Sequence, residues 1–312
     1  MRSEPAVSGI WPTMLTPFVR GGQVDWSSLE RLVEWYIAQG AHGLFAVCQS
    51  SEMFRLTLEE RVGIASFVRQ KARGRVPVIA SGHTGGSFGE QVGELRAMAS
   101  TGVDALVLIT NRLAEQGESE AKAIDRLQRL LDELPADLPL GFYECPFPYK
   151  RLLSDELLSF SVETGRFRFI KDTCCDADTI RRRLKLLEGT GVKLFNANSA
   201  TLLDSLRSGA AGYSGVMANF HPSLYVRLWN EYESDPAGAE LLAAFLTTAS
   251  LIEKQSYPAN AKYNLLLEGI LESAACRVLP DDALSATHRS EVEQLRLLTD
   301  AWYEEFGKGR YE

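Results

Sequence analysis

Eight short apolar segments alternate with segments of helical spacing between Gly9 and Asn219. The apolar segments, each bounded by Gly, Pro or polar residues, are GIWPTMLTP from Gly9, GLFAVCQ from Gly43, PVIASGH from Pro77, ALVLIT from Ala105, LGFYECP from Leu140, FRFIKDT from Phe167, VKLFNAN from Val192 and GYSGVMAN from Gly212. The helical segments between them are 26–39, 57–74, 87–100, 118–134, 154–164, 176–188 and 201–208. Strands that are apolar along most of their length, each followed by a helix, predict a parallel sheet covered by helices. Eight such units favour an α/β fold that closes into a (β/α)8 barrel, also called a TIM barrel.

An open, doubly wound sheet would show the same alternation. Its dinucleotide-binding form carries Gly-x-Gly-x-x-Gly in the first turn from strand to helix. Here that turn reads TPFVRGGQVDW and contains no such motif. The sequence therefore favours the closed barrel and gives little support to a dinucleotide site.

After Asn219 the pattern is helical, in the segments 222–234, 237–254, 258–271 and 288–306. A barrel of this type has about 250 residues, and the chain has 312. We therefore predict two parts, a barrel over residues 1–220 and a C-terminal helical layer over residues 221–312 that packs on it.

Composition restricts the partners more than the fold. With 45% hydrophobic and 24% charged residues and no apolar run of membrane-spanning length, the chain is not expected to act in a membrane. A net charge of −8 without a basic cluster gives no electrostatic surface for nucleic acid. The start MRSEPAVSGI lacks the apolar segment of a secretion signal, and the five cysteines are irregularly spaced, so we expect a reducing cytoplasm.

Two polar residues stand at the ends of neighbouring strands, where barrels of this type carry their chemistry. Tyr143 closes the fifth predicted strand and Lys171 the sixth. Taken alone, each is more simply a strand residue whose polar end lies in water. Together they suggest an amine that loses its proton through desolvation and attacks a carbonyl carbon, beside a hydroxyl that moves protons. Such a reaction proceeds through a Schiff base.

Five motifs carry a resemblance to a known family. They are TPF at 16–18, GLFAVCQSSEMFRLTLEER at 43–61, FYECP at 142–146, FIKDT at 169–173 and GAAGYSGVMAN at 209–219. In order and spacing they resemble the pyruvate-dependent class I aldolases that include dihydrodipicolinate synthase and N-acetylneuraminate lyase. The resemblance implies a Schiff-base lyase that acts on a 2-oxo acid such as pyruvate or a keto-deoxy sugar acid, without metal or cofactor. It also implies a homo-oligomer, a tetramer or a dimer.

Carried over residue by residue, the resemblance makes Lys171 the imine-forming residue and Tyr143 the proton-relay tyrosine. The family's Gly-Thr-Thr-Gly-Glu loop, which binds the substrate carboxylate, reads CQSSE at 48–52. Here Ser50 keeps a hydroxyl for the relay and Gln49 replaces its partner, while amides of Ser50 and Ser51 are expected to bind the carboxylate. Ser214, after the eighth strand, is a further predicted substrate-binding residue. The loop acid Glu52 is expected to hold the loop by hydrogen bonds.

Departures from the family pattern argue against its two best-known reactions. The segment TNRLAEQG at 110–117 lacks the synthase tyrosine that extends the relay into a neighbouring subunit, and Pro148 replaces an arginine that meets the second substrate. Ser199 and Ala200 replace the Asp-Glu pair that holds the sugar tail in the sialic acid branch. The loop FAVCQSSEMFRLT resembles the branch that dehydrates keto-deoxy-glucarate. Two alternatives therefore stay open. One is a hydro-lyase that uses the same imine on Lys171, and the other is a catalytically weakened protein that binds a metabolite.

Other polar residues have simpler interpretations. The four histidines include no pair at metal-ligand spacing, and His83, after the third strand, is the one that could face the barrel mouth. The adjacent Cys174 and Cys175 lack Cys-x-x-Cys spacing and are expected to be small buried residues. The run RRRLK from Arg181 is expected to be a solvated helix face.

Overall fold

Eight parallel strands form the barrel in a computed structural model that describes residues 7–307, with side chains to residue 304. The strands are β1 (Gly9–Ile10), β2 (Leu44–Val47), β3 (Val78–Ala80), β4 (Ala105–Ile109), β5 (Leu140–Tyr143), β6 (Phe167–Asp172), β7 (Lys193–Asn196) and β8 (Gly212–Tyr213). Their hydrogen-bonded order is β1-β8-β7-β6-β5-β4-β3-β2. Thr13, just after β1, pairs with Phe45 of β2 in parallel, and this contact closes the circle. The predicted barrel is confirmed.

Helices follow the strands in the predicted alternation. The barrel helices are α1 (Trp26–Ala38), α2 (Leu58–Ala72), α3 (Phe88–Ala99), α4 (Glu120–Glu133), α5 (Asp155–Glu163), α6 (Ala177–Leu187), α7 (Leu202–Arg207) and α8 (Pro222–Glu231), followed by α9 (Pro236–Ala249), α10 (Ala259–Leu267) and α11 (Ala286–Gly307). Side-chain caps fix several starts. Asp25 accepts the Ser28 amide at 3.0 Å, and Thr57 and Glu60 form a capping box at α2. Such caps define helix ends locally, so the predicted ends of α1 to α7 differ from the observed ones by at most two residues.

Aromatic rings fill the interior of the barrel. Trp11 lies 5.6 Å from both Phe169 and Phe195 between ring centroids, and Phe169 stacks on Phe195 at 4.6 Å. A Cβ atom at Gly43 would lie 2.4 Å from the Trp11 ring, so only glycine leaves room for that ring. Because the interior is filled in this way, a ligand has access from the end of the barrel and not through it.

The C-terminal helices begin with α8, which follows β8 and packs against β1. Tyr225 of α8 stacks on Tyr213 of β8 with ring centroids 4.2 Å apart. By position, α8 is thus the eighth helix of the barrel, and the division at 220/221 stays a prediction. Residues 1–6 and 308–312 lie outside the described residues. They include the outer ends of the two predicted parts and most of the start that was predicted to lack a secretion signal. Across residues 7–307, no helix combines the length and apolar character that crossing a membrane requires.

Candidate active site

Lys171 and Tyr143 meet at the end of the barrel because β5 and β6 are paired in register. The Cα atoms of the two residues are direct partners across the strands. The Nζ atom of Lys171 lies 4.5 Å from the centroid of the Tyr143 ring and 5.9 Å from that of Phe45. The structure thus brings together the two residues that the sequence placed on neighbouring strand ends.

The amine of Lys171 is almost entirely withdrawn from water, with 2% of the residue exposed. Burial lowers its pKa from the ordinary 10.5 to about 8, and the groups Cys48, Cys145 and Glu253 offset only part of this effect. Desolvation disfavours the ammonium form, whereas the neutral amine loses little. A useful fraction of Lys171, about a tenth at pH 7, therefore carries the free electron pair that a nucleophile needs.

The Tyr143 hydroxyl lies among groups that keep it protonated. Burial raises its pKa well above the usual value, and the neighbouring thiol of Cys145 acts in the same direction. The Cys145 Sγ atom is in turn 3.2 Å from Oε1 of Gln49. Tyr143 is therefore suited to donate a proton to an oxygen that develops negative charge beside it.

A buried ion cluster lies behind these two residues. Successive side chains of a strand point to opposite faces, so Glu144 and Asp172 point outward, away from Tyr143 and Lys171. Both carboxylates bind Arg183 of α6, with Arg183 Nη2 2.8 Å from Glu144 Oε1. Burial raises the pKa of Glu144, with Asp172 adding to the rise and Arg183 opposing it. The cluster ties the ends of β5 and β6 together.

Arg183 corrects one prediction from the sequence. The run from Arg181 was expected to be solvated, but Arg183 is 1% exposed. Its two neighbours follow the prediction, because Arg181 and Arg182 form exposed ion pairs. The cysteines after β6 also differ from the prediction, since Cys174 is half-buried and Cys175 is exposed.

The CQSSE loop forms a 3-10 turn over Gln49–Ser51 directly after β2. The Ser50 hydroxyl donates to Oγ1 of Thr13 at 3.2 Å. The Ser51 hydroxyl instead faces the protein, 2.7 Å from the carbonyl oxygen of Met14 and 2.9 Å from that of Ala46. The Ser51 amide donates to the carbonyl of Cys48 at 3.1 Å. Ser50 is thus the serine of this loop whose side chain reaches the cavity described below.

Glu52 anchors the loop to the C-terminal part of the chain. Its Oε1 atom is 2.6 Å from Nζ of Lys262, and both side chains are fully buried. Its Oε2 atom accepts the amides of Arg277 and Val278 at 2.6 and 2.8 Å. Glu52 itself has a left-handed backbone, with φ of 60°, which costs a residue with a side chain roughly 1–2 kcal/mol. These hydrogen bonds hold it there, as expected from the sequence.

A cavity of about 400 Å³ opens above Tyr143. Its wall is formed by Gln49, Ser50, Glu52, Phe54, Arg55, Tyr143, Pro146, Phe147, Val216, Tyr257, Pro258, Val278 and Leu279. Most of these residues are apolar or aromatic. Lys171 is not one of these lining residues, but its amine lies against the ring of Tyr143, which is. Ser214, by contrast, is fully buried and donates to the carbonyl of Trp11 at 2.9 Å.

Comparison with known proteins decides the family. The model of the dihydrodipicolinate synthetase family matches residues 6–297. The chain belongs to the dihydrodipicolinate synthetase family. Members of this family are lyases of the class I Schiff-base type, and the chain is an enzyme of that class.

Curated relatives of the chain are distant. The 4-hydroxy-tetrahydrodipicolinate synthase of Acidithiobacillus ferrooxidans is 27% identical over 292 residues, which cover 92% of this chain and 96% of that protein. The enzyme of the same name from Roseobacter denitrificans is 30% identical over 219 residues, covering 69% of this chain and 72% of the relative. At this distance the family is shared, and the substrate is a separate question.

Solved structures show the same fold. Dihydrodipicolinate synthase from Acinetobacter baumannii, in complex with pyruvate, superposes with a TM-score of 0.83 at 23% identity, covering 94% of this chain and 99% of that one. A monomeric dihydrodipicolinate synthase variant gives a TM-score of 0.85 at 18% identity, covering 96% and 99%. The second example shows that this fold also exists as a single chain.

Several residues around the cavity were not found from the sequence. His83, which was considered, is fully buried and its Nε2 accepts the Ile109 amide at 3.2 Å. Cys145 stands two residues after Tyr143, so strand alternation could have placed it beside that tyrosine. Tyr257 carries no such signal, because it reaches the mouth through the packing of segments that follow the barrel, whereas Asn219 ends the eighth predicted strand segment but was not singled out.

Proposed function

We propose that this enzyme cleaves or forms a carbon-carbon bond next to the carbonyl of a 2-oxo acid, with Lys171 as the imine-forming residue and Tyr143 as the proton-transfer residue. The observation that carries the proposal is the desolvated Lys171 amine, 4.5 Å from the Tyr143 ring at the base of the cavity. The family supplies the reaction class, and these two residues supply the groups that it requires.

The steps follow from this geometry. The electron pair of Lys171 Nζ attacks C2 of the 2-oxo acid, and a proton moves from nitrogen to the former carbonyl oxygen. That hydroxyl takes a proton from Tyr143 and leaves as water, so a C=N bond forms. The hydroxyl on C4 of the substrate then gives up its proton to water in the cavity, and the bond between C3 and C4 breaks; its electrons pass to the protonated imine, so that an enamine and an aldehyde form. Protonation at C3 and hydrolysis return the amine and a shorter 2-oxo acid.

Ser50 and Gln49 on the cavity wall are the proposed partners of the substrate carboxylate, together with backbone amides of the loop. The hydroxyls of Ser51 and Ser214 bond to backbone carbonyls, and their amides donate to the carbonyls of Cys48 and Asn196, so we propose the Ser50 amide as the backbone donor to the carboxylate instead of these two residues. A neutral donor set of this kind orients a carboxylate without the desolvation cost of a buried cation.

The cavity wall supports an apolar distal group on the substrate. Phe54 and Phe147 meet edge to face at 5.0 Å, and Val216, Val278 and Leu279 continue this surface. A polyol tail would leave its hydroxyls without partners against such a wall, at roughly 1–3 kcal/mol for each buried group. We therefore propose a 2-oxo acid with an aliphatic or aromatic tail as substrate.

Borohydride trapping tests the imine. Reduction in the presence of pyruvate or 2-oxobutyrate should attach the acid to Lys171, as located by peptide mass. Lys171→Ala should lose both adduct and turnover. Lys150→Ala is the matched control, because Lys150 is exposed and donates to the carbonyl of Thr173, two residues from Lys171, without lying in the barrel. An adduct on another lysine, or turnover by Lys171→Ala, would contradict the proposal.

A hydro-lyase is the second candidate, favoured by the likeness of the CQSSEMFRLT loop to the keto-deoxy-glucarate branch. It would use the same imine to expel a hydroxyl as water instead of breaking a carbon-carbon bond. A panel of 2-oxo acids with apolar tails and keto-deoxy sugar acids separates the two reactions by product mass. An adduct without any turnover would indicate the metabolite-binding alternative. A homo-oligomer and a cytoplasmic location are part of the proposal on the sequence grounds given above.

A further inference from the structure

Tyr257 reaches the barrel mouth from the C-terminal part of the chain. It precedes α10, yet it lines the same cavity as Tyr143 and Ser50. Tyr257 is partly exposed, and its hydroxyl lies 3.0 Å from Nδ2 of Asn219. The cavity wall therefore contains two tyrosines and one serine from a single chain.

The Tyr257 hydroxyl is held in a fixed position. Nδ2 of Asn219 is also 3.0 Å from the carbonyl oxygens of Thr13 and Val216, so the amide has one orientation. Oδ1 of the same side chain accepts the hydroxyl of Tyr36. A phenol oxygen fixed by such a framework keeps its distance to neighbouring hydroxyls through a reaction, as proton transfer requires.

Ser50 connects this hydroxyl to the site. Its hydroxyl donates to Oγ1 of Thr13 at 3.2 Å, and the carbonyl of the same Thr13 accepts the Asn219 amide that holds Tyr257, so Ser50 and Tyr257 adjoin one residue. Tyr143 and Tyr257 line the same cavity, and burial raises the pKa of both phenols well above the usual value, so both hydroxyls are protonated. Ser50 lies on the wall with both tyrosines and can pass a proton between them.

We propose that Tyr257 completes the proton relay within one chain, acting through Ser50, in the position left by the relay tyrosine that segment 110–117 lacks. The inference rests on the proposed imine at Lys171. When Tyr143 gives its proton to the departing hydroxyl, Ser50 returns a proton to Tyr143 and takes one from Tyr257. Tyr257 regains a proton from water at the cavity opening. The reverse sequence removes protons when the imine is hydrolysed.

Tyr257→Phe tests the relay. We expect kcat to fall by roughly 10²-fold, the lower end for a positioned proton-transfer group, with KM nearly unchanged and the borohydride adduct still formed after long incubation. Small buffer acids should restore part of the lost rate in proportion to their concentration, which a purely structural defect would not allow. Tyr263→Phe is the control, because Tyr263 lies on α10 with its hydroxyl on Glu293 at the surface.

A mixing experiment tests whether the relay stays within one chain. Lys171→Ala and Tyr257→Phe, mixed and reassembled, should show no gain in turnover, since neither chain holds a complete site. A gain would mean that Tyr257 serves a neighbouring subunit and would overturn the single-chain relay.

If Tyr257→Phe does not fold, Ser50→Ala and Ser50→Thr replace it. We expect Ser50→Ala to lose turnover and Ser50→Thr, which keeps a hydroxyl, to retain part of it. If the unmodified protein forms the borohydride adduct and Tyr257→Phe keeps full turnover, the relay is overturned and the proposed function stands. If the unmodified protein forms no adduct, the proposed function is overturned as well.

Discussion

Replacing Lys171 by Met should make the enzyme more stable while abolishing its activity. Lys171 is buried and forms no ion pair with a carboxylate among the described residues, and its pKa falls from the ordinary 10.5 to about 8. At about 1.36 kcal/mol per pKa unit, this difference corresponds to roughly 3 kcal/mol of folding free energy that the buried amine costs at pH 7. Met fills a similar volume with no charge, so Lys171→Met should raise the free energy of unfolding by an amount of that order.

The pH dependence of this gain provides a stricter test. Between pH 8 and 10.5 the unfolded chain still binds the proton that the folded chain has released. Because the unfolded state then holds more protons, the stability of the unmodified enzyme rises with pH in this window. The advantage of Lys171→Met should be constant below pH 8 and should vanish as pH approaches 10.5.

Lys262→Met is the matched control, since Lys262 is a buried lysine with a partner. Its Nζ atom lies 2.6 Å from Oε1 of Glu52, and its removal leaves a buried carboxylate unpaired, at a cost of roughly 3–5 kcal/mol. Denaturant titration at pH 7 and pH 10 measures both variants against the unmodified protein. Loss of stability in Lys171→Met at pH 7, or a gain that does not change with pH, would refute the argument that the site holds a desolvated amine.

Three further predictions concern the surroundings of the site. The rate of imine formation at low substrate should rise about tenfold per pH unit and level off above the Lys171 pKa of about 8; a profile without a break there would contradict the assignment. Arg183→Met should lower the free energy of unfolding by roughly 3–5 kcal/mol because two buried carboxylates lose their cation, whereas Arg182→Met, which removes an exposed pair, should cost at most about 1 kcal/mol; equal effects in urea unfolding would refute this contrast. Ser51→Ala should cost about 1–3 kcal/mol of stability and leave KM for the 2-oxo acid unchanged, and a raised KM with normal stability would instead show that the hydroxyl binds substrate.

Much of the site could be predicted because it depends on strand order. Tyr143 and Lys171 end consecutive segments, and consecutive strands of such a barrel are neighbours with their ends at the same face. The loop CQSSE follows β2 for the same reason, and the role of Glu52 in holding it agrees with the hydrogen bonds observed. What the sequence did not provide is the orientation of each side chain, so the Ser51 hydroxyl was not expected to face the protein.

The misjudged residues depend on contacts between distant parts of the chain. Arg183 lies in a run of three arginines that look alike in sequence, and only packing of α6 against β5 and β6 buries one of them beside two carboxylates. Cys175 was expected to be buried, but it stands in a loop with φ of 59° and faces solvent. Neither burial nor exposure of a single residue follows from its neighbours in sequence.

The sequence by itself determined the barrel, its helices and the pairing of Lys171 with Tyr143, because strand and helix periods are local properties and fix which residues share a face. Only the tertiary structure decided that Tyr257, from a segment beyond the barrel, lies beside Ser50, and that the cavity wall is largely apolar. The physical reason is that these contacts arise from the way the C-terminal helices pack across the barrel mouth. That packing is set by the complementarity of whole surfaces, which no periodic pattern in the chain records.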